Sequence, residues 1–76
     1  MTTTQITHYT IKLECIEQVL SSIQSEIDIA ERMLKEAKQR NFEYGIISNT
    51  GRLDALNTIL HQTKGRQKYY KEALEY

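Results

Sequence analysis

The sequence predicts an all-α fold, an antiparallel hairpin of two long helices, from three observations. An apolar residue recurs at alternating steps of three and four from Ile6 to Ala37, the period of a helix that buries one stripe. A second stripe with the same period starts out of phase at Ile46. No segment alternates every two residues, as a half-buried strand would, and the chain contains no proline.

The two stripes predict one surface on each helix that packs against the other helix. The first stripe consists of Ile6, Tyr9, Leu13, Ile16, Leu20, Ile23, Ile27, Ala30, Leu34 and Ala37. The second consists of Ile46, Leu53, Leu56, Leu60, Tyr70 and Leu74, with Asn49, Thr63 and Gln67 as polar members. We call the two facing stripes the seam.

The first helix is predicted to span about residues 6–40. Thr2 followed by Gln5 has the form of a capping box, although a later threonine could cap the helix instead. Cations that complement the negative end of a helix dipole collect in its last turns. They are Arg32, Lys35, Lys38 and Arg40.

The turn between the helices is predicted at about residues 41–45. Asn41 can adopt the left-handed conformation that ends helices, and Glu43 suits the start of the next one. The competing position is 48–51, which is more turn-like in composition but would make the helices unequal in length. The early turn gives a second helix of about 46–75 within a single domain, 1–76.

Charge follows the hairpin arrangement. Ten basic and ten acidic residues cancel overall, yet residues 1–31 have a net charge of −4 and residues 32–71 a net charge of +6. An antiparallel hairpin would set residue i opposite about residue 84 − i. This pairing brings the acidic part of the first helix close to Lys64 and Arg66, where Glu14 and Glu17 could meet them.

The apolar stripe of each helix is wider than a two-helix seam requires. With Leu13 at heptad position a, apolar residues also occupy positions c and g of the first helix, and Ala55 and Ile59 repeat this in the second. The extra width predicts further packing, most simply a dimeric four-helix bundle, although a different protein could cover the same surface. The predicted interface residues are Leu13, Ile16, Val19, Leu20, Ile23, Ile27, Ile29, Met33, Leu34, Leu53, Leu56, Ile59 and Leu60, with Cys15 as a small apolar filler.

Catalytic, cofactor-binding and metal-binding residues are not predicted. His8 and His61 do not converge in the hairpin, and neither has a partner at metal-ligand spacing. The glycines are isolated and form no phosphate-binding loop. Without an apolar run that could span a membrane, and with one free cysteine, the sequence favours a cytoplasmic protein that does not enter membranes.

Two segments are candidates for contacts with other molecules. The 64–71 segment combines cations with aromatic rings, which is typical of a strip that contacts phosphates, although pairing within the hairpin explains it too. Its members are Lys64, Arg66, Lys68, Tyr69 and Lys71. At the turn, Phe42 and Tyr44 could close the loop or anchor a partner.

The function expected from the sequence is therefore protein–protein interaction without catalysis. The protein would be an adaptor, assembly factor or inhibitor of a larger protein, working as a homo-oligomer, with a dimer favoured. A nucleic-acid-binding accessory protein that uses the 64–71 segment is the alternative.

Overall fold

The computed structural model describes residues 1–75 and consists of two long antiparallel helices. Helix α1 spans Thr3–Gln39 and helix α2 spans Glu43–Leu74, and together they measure 57 × 15 × 14 Å. Strands are absent from the described residues, and the helices contact each other along their length. The all-α hairpin predicted from the two stripes is confirmed.

Helix α1 begins with the predicted capping box. The Thr2 hydroxyl accepts a hydrogen bond from the Gln5 backbone N–H at 3.2 Å, and the Gln5 side chain accepts one from the Thr2 backbone N–H at 2.9 Å. Two otherwise unpaired backbone donors at the helix start are thereby satisfied. The helix therefore starts three residues earlier than the apolar stripe alone suggests.

The turn lies at residues 40–42, near the earlier of the two predicted positions, and the 48–51 segment is helical. The predicted bounds of 41–45 are too late, because residues 43–45 already belong to α2. Asn41 has a φ of 52°, in the left-handed region that its short polar side chain tolerates. The Phe42 N–H donates to the Ala37 carbonyl at 2.9 Å, and the Asn41 N–H donates to the Lys38 carbonyl at 3.2 Å. This pair of bonds is a Schellman motif, which satisfies the last carbonyls of α1.

Phe42 occupies the N-cap position of α2, and its ring fills the space where Gly45 lacks a side chain. A Cβ atom built on Gly45 would lie 2.6 Å from Phe42 Cδ1 and 3.0 Å from Ala37 Cβ. The first turn of α2 can approach α1 this closely only because residue 45 is glycine. One turn later, the buried Asn49 amide donates to the Gly45 carbonyl at 2.8 Å, which satisfies a polar group inside the seam.

The seam follows both sequence stripes. Pairs that face each other across it, such as Tyr9 with Tyr70 and Ala37 with Gly45, place residue i level with about residue 80 − i. The predicted pairing of about 84 − i is thus shifted by about one helical turn. The prediction that Ile6 packs in the seam is wrong, because Ile6 is 45% exposed. Its level partner on α2 would be residue 74, where that helix ends.

The interior of the hairpin is thin. The buried apolar side chains are Ile23, Ile27, Ala30 and Ala37, and the seam leucines are only half-buried. Among the described residues no large side chain is less than 2% exposed. Two helices bury only the stripe between them, so the flanking rows of each helix stay in water.

Candidate interaction surface

The hairpin has two long flanks, one on each side of the seam. At 100° per residue, positions c and g lie beside the seam on one side of a helix, and positions b and e lie beside it on the other. The ion pair between Glu26 and Arg52, both at position g, joins the two helices across one flank. Positions c and g of α1 and α2 therefore share one flank, and positions b and e share the other.

The c/g flank carries a row of exposed apolar side chains, and we call it the apolar flank. Ile6, Ile11, Tyr44 and Ile47 are also exposed, at other positions of the two helices. Val19 is 48% exposed, Met33 43% and Ile59 46%, so each of these aliphatic side chains is in contact with water. Three shallow grooves follow one another along this flank from the open end to the turn. Its exposed apolar members are Cys15, Val19, Ile29, Met33, Ala55, Ile59 and Tyr69.

Polar residues of the apolar flank occupy its ends and its middle. Lys12 and Arg66 border the groove at the open end, and Glu36 and Arg40 border the groove at the turn. The Lys12 ammonium lies 5.6 Å from the centre of the Tyr70 ring, which is a cation–π contact. The Glu26–Arg52 pair lies in the middle, with side chains 49% and 40% exposed.

The b/e flank is nearly all polar, and we call it the polar flank. Ile47, which is 73% exposed, is its one large aliphatic side chain among the described residues. The rest of this flank consists of charged and uncharged polar residues, as the solvated side of a helix does. Its α1 members include Glu14, Glu17, Ser21, Gln24, Asp28, Glu31, Lys35 and Lys38, and its α2 members include Thr50, Asp54, Asn57, His61, Lys64, Lys68 and Lys71.

The 64–71 segment does not form one strip. Lys64, Lys68 and Lys71 lie on the polar flank, whereas Arg66 and Tyr69 lie on the apolar flank. Lys68 pairs along the helix with Glu72 at 3.9 Å. Tyr69 packs edge-on against Tyr70, with ring centroids 5.2 Å apart. The candidate phosphate contacts are therefore divided between two sides of the molecule.

The sequence predicts ion pairs between the helices at the open end, and this prediction is wrong. Within residues 1–75 the ion pairs are Glu26–Arg52 and Lys68–Glu72, and neither Lys64 nor Arg66 pairs with Glu14 or Glu17. For Arg66 the reason is geometric. Position g places it on the apolar flank, while both glutamates lie on the polar flank.

The aromatic residues at the turn behave differently from each other. Phe42 is 55% exposed but packs its ring edge over Gly45, so it closes the loop. Tyr44 is 75% exposed, and its ring centroid lies 6.1 Å from that of Phe42. Tyr44 also borders the groove of the apolar flank nearest the turn. Phe42 thus has a structural role, and Tyr44 has a side chain free for contacts.

The imidazole and thiol groups stand apart. His61 lies on the polar flank, His8 lies near the open end, and Cys15 is exposed on the apolar flank. In the described part of the chain, no three His, Cys, Asp or Glu side chains come together in a group that could hold a metal ion. Neither helix, over the described residues, has a stretch long and apolar enough to cross a membrane.

Comparisons with protein-family models, curated proteins and solved structures found no match for this chain.

Three residues of the apolar flank are not predicted from the sequence to lie there. The sequence prediction places Tyr69 with the cations of the 64–71 segment, whereas position c places it on the apolar flank. Lys12 and Glu36 are not among the predicted contact residues, and they lie at opposite ends of the same flank. Extending the c and g rows over the full length of both helices would have found all three.

Proposed function

We propose that this protein acts by protein–protein interaction without catalysis, as an adaptor, assembly factor or inhibitor, and that its apolar flank joins two copies into a four-helix bundle. The observation that supports this proposal is the contrast between the flanks. Seven exposed apolar residues line one flank from end to end, while the other has the composition of a solvated surface.

The hairpin exposes more accessible surface than a compact monomer of the same mass would. The accessible surface is 5879 Å², whereas a compact monomer of 8.9 kDa would have about 4,800 Å². A hairpin 57 Å long and about 15 Å wide offers on the order of 800 Å² on one side, which is the area that each partner of a standard stable complex buries. The apolar flank is large enough for a stable dimer.

The decisive experiment places the same charge on each flank. Ile59→Glu puts a carboxylate on the apolar flank, and Asn57→Glu puts one on the polar flank two residues away on the same helix. We expect sedimentation velocity to show a dimer at micromolar concentration for the unmodified chain and for Asn57→Glu, and a monomer for Ile59→Glu. If the unmodified chain sediments as a monomer at about 100 µM, the dissociation constant of the dimer is on the order of 1 mM or weaker. That result would refute the bundle.

Binding of nucleic acid is the second candidate, and the structure favours it less than the sequence does. Its cations are split between the flanks, and the 64–71 segment is flanked by Glu72 and Glu75. We therefore expect no shift of DNA or RNA in an electrophoretic assay at about 150 mM salt. A shift that weakens steeply with salt, and that Lys68→Ala with Lys71→Ala abolishes, would establish this alternative.

A further inference from the structure

We infer that the two copies pack antiparallel through their apolar flanks, with the turn of one hairpin at the open end of the other. The twofold axis crosses the interface at the level of residue 24 along α1 and of residue 57 along α2. The inference rests on the proposed dimer and adds its orientation and register. It follows from how the residues of the apolar flank match when the flank is laid on a copy of itself.

When α1 is laid antiparallel on a second copy of α1, its exposed residues at positions c and g match in polarity about residue 24. In an antiparallel contact between two copies of α1, position g of one copy meets position c of the other, as positions a and d do in an ordinary antiparallel seam. Around residue 24 this gives two apolar contacts, one contact of opposite charges and one polar contact beside the axis. The facing pairs are Val19 with Ile29, Cys15 with Met33, Lys12 with Glu36, and Ser22 with Glu26. Beyond them, at the two ends of the row, His8 faces Arg40, and this pair does not have opposite charges.

The exposed row of α2 gives an independent centre at residue 57. There, small residues face large ones, and like charges do not meet. Ala55 faces Ile59 next to the axis, and Gly45, whose missing side chain leaves a gap beside Phe42, faces Tyr69 at the ends. The remaining facing pairs are Arg52 with Gln62 and Ser48 with Arg66.

The two centres agree with the register of the hairpin itself. Side-chain contacts across the seam place residue i level with about residue 80 − i. Residue 24 is thus level with about residue 56, within one residue, or about 1.5 Å, of the centre found from α2 alone. A single twofold axis therefore serves both helices, as a symmetric dimer requires.

Other arrangements set apolar residues against polar ones. With both turns at the same end, α1 would lie on α2 of the second copy, and Val19 would face Gln62, Ile29 would face Arg52 and Cys15 would face Arg66. Sliding the antiparallel pair by one heptad faces Cys15 with Glu26 in one direction, or Met33 with Ser22 in the other. Only the register centred on residue 24 keeps apolar rows together.

Charges near the axis are compatible with burial. Glu26 and Arg52 already neutralise each other within one hairpin, so a second copy would cover an ion pair and would leave neither charge unpaired. The end of the flank behaves differently. Lys12 and Arg66 both border the open-end groove, and the antiparallel orientation brings Glu36 and Arg40 of the second copy to this end, with Glu36 facing Lys12. The same-end orientation would gather four cations there instead.

A single substitution tests the register by disulfide formation. Met33→Cys places a thiol opposite the native Cys15 of the second copy, and the twofold axis repeats this pair at the other end of the dimer. Within a single hairpin the side chains at positions 15 and 33 are both exposed, so neither has to leave the core to react. Under mild oxidation we expect this variant to become a covalent dimer on a non-reducing gel. The unmodified chain and Cys15→Ser with Met33→Cys should not, because like cysteines would lie 18 residues apart in level, about 27 Å.

Sedimentation under reducing conditions separates the two proposals. If Met33→Cys is a dimer but resists oxidation under conditions in which free cysteine oxidises, the register is wrong and the bundle stands. If it is a monomer, both proposals fail. Covalent dimers formed equally by the unmodified chain would also overturn the register, since Cys15 would then lie next to its own counterpart.

Discussion

The two flanks of this hairpin share one backbone and one seam, yet they differ in what they present to water. Along the apolar flank, Val19, Met33 and Ile59 leave between 43% and 48% of their surface exposed. The polar flank presents charged and amide side chains at the matching levels, such as Gln24 and Asn57. Because both flanks border the same half-buried leucines, the seam does not explain the difference. The proposed dimer rests on this apolar stripe, which extends to one side of the seam only.

The largest expected effect separates the seam from either flank. Ile27 is 4% exposed, and Ile27→Asp would place an unpaired carboxylate among apolar side chains, at a cost of about 3–5 kcal/mol. Thermal unfolding followed by circular dichroism should show loss of helix at room temperature or a melting temperature far below that of the unmodified chain. Ile47→Asp, the same substitution on the polar flank, should change the unfolding free energy by less than about 0.5 kcal/mol. Equal melting of the two variants would remove the distinction between seam and flank.

The next effect contrasts a glycine in contact with one in open space. Gly45→Ala should destabilise the hairpin by about 1–3 kcal/mol, because the added Cβ collides with the Phe42 ring and with Ala37. Gly51→Ala meets no atom within 4 Å and should stabilise it by about 0.5–1 kcal/mol, since alanine loses less entropy in a helix. Urea unfolding of the two variants at equal concentration measures both. A stable Gly45→Ala variant would show that Phe42 does not fix the turn.

A smaller effect tests the match between the ends of the apolar flank. Lys12→Glu should weaken the dimer about tenfold, because two exposed pairs per dimer turn from attractive to repulsive. Adding Glu36→Lys should restore affinity to within about threefold, since the charges are exchanged and again opposite. Both variants lose the Lys12 contact with Tyr70, so the restored part reports the pairing with Glu36 alone. Sedimentation equilibrium gives the constants, and a double variant as weak as the single one would argue against the pairing.

The smallest effect concerns the basic residues of the 64–71 segment. Arg66 has no ion-pair partner within the described hairpin, and Lys64 has none either. Arg66→Gln should therefore change the unfolding free energy by only a few tenths of a kcal/mol. The measurement is urea unfolding at low and at high salt. A loss above about 1 kcal/mol at both salt concentrations would indicate that Arg66 supports the fold.

Periodicity and caps in the sequence predicted much of this structure. The alternating steps of three and four gave both helices, and Asn41 with Glu43 indicated the turn that the structure has. Thr2 and Gln5 likewise form the capping box that their spacing suggests. These features are local, because each depends on residues within about one helical turn of each other, and local interactions follow directly from sequence order.

Only the tertiary structure decided how the helices lie against each other. The close approach of Phe42, Gly45 and Ala37 fixes the level of α2 against α1, and the predicted register was off by about one turn. That register sets Tyr9 level with Tyr70 and Glu26 level with Arg52, which the predicted register does not. Heptad positions state which side of its own helix a residue occupies, but they do not state which residue of the other helix is level with it. That depends on how tightly the turn packs, which is a contact among Phe42, Gly45 and Ala37 and cannot be derived from a period.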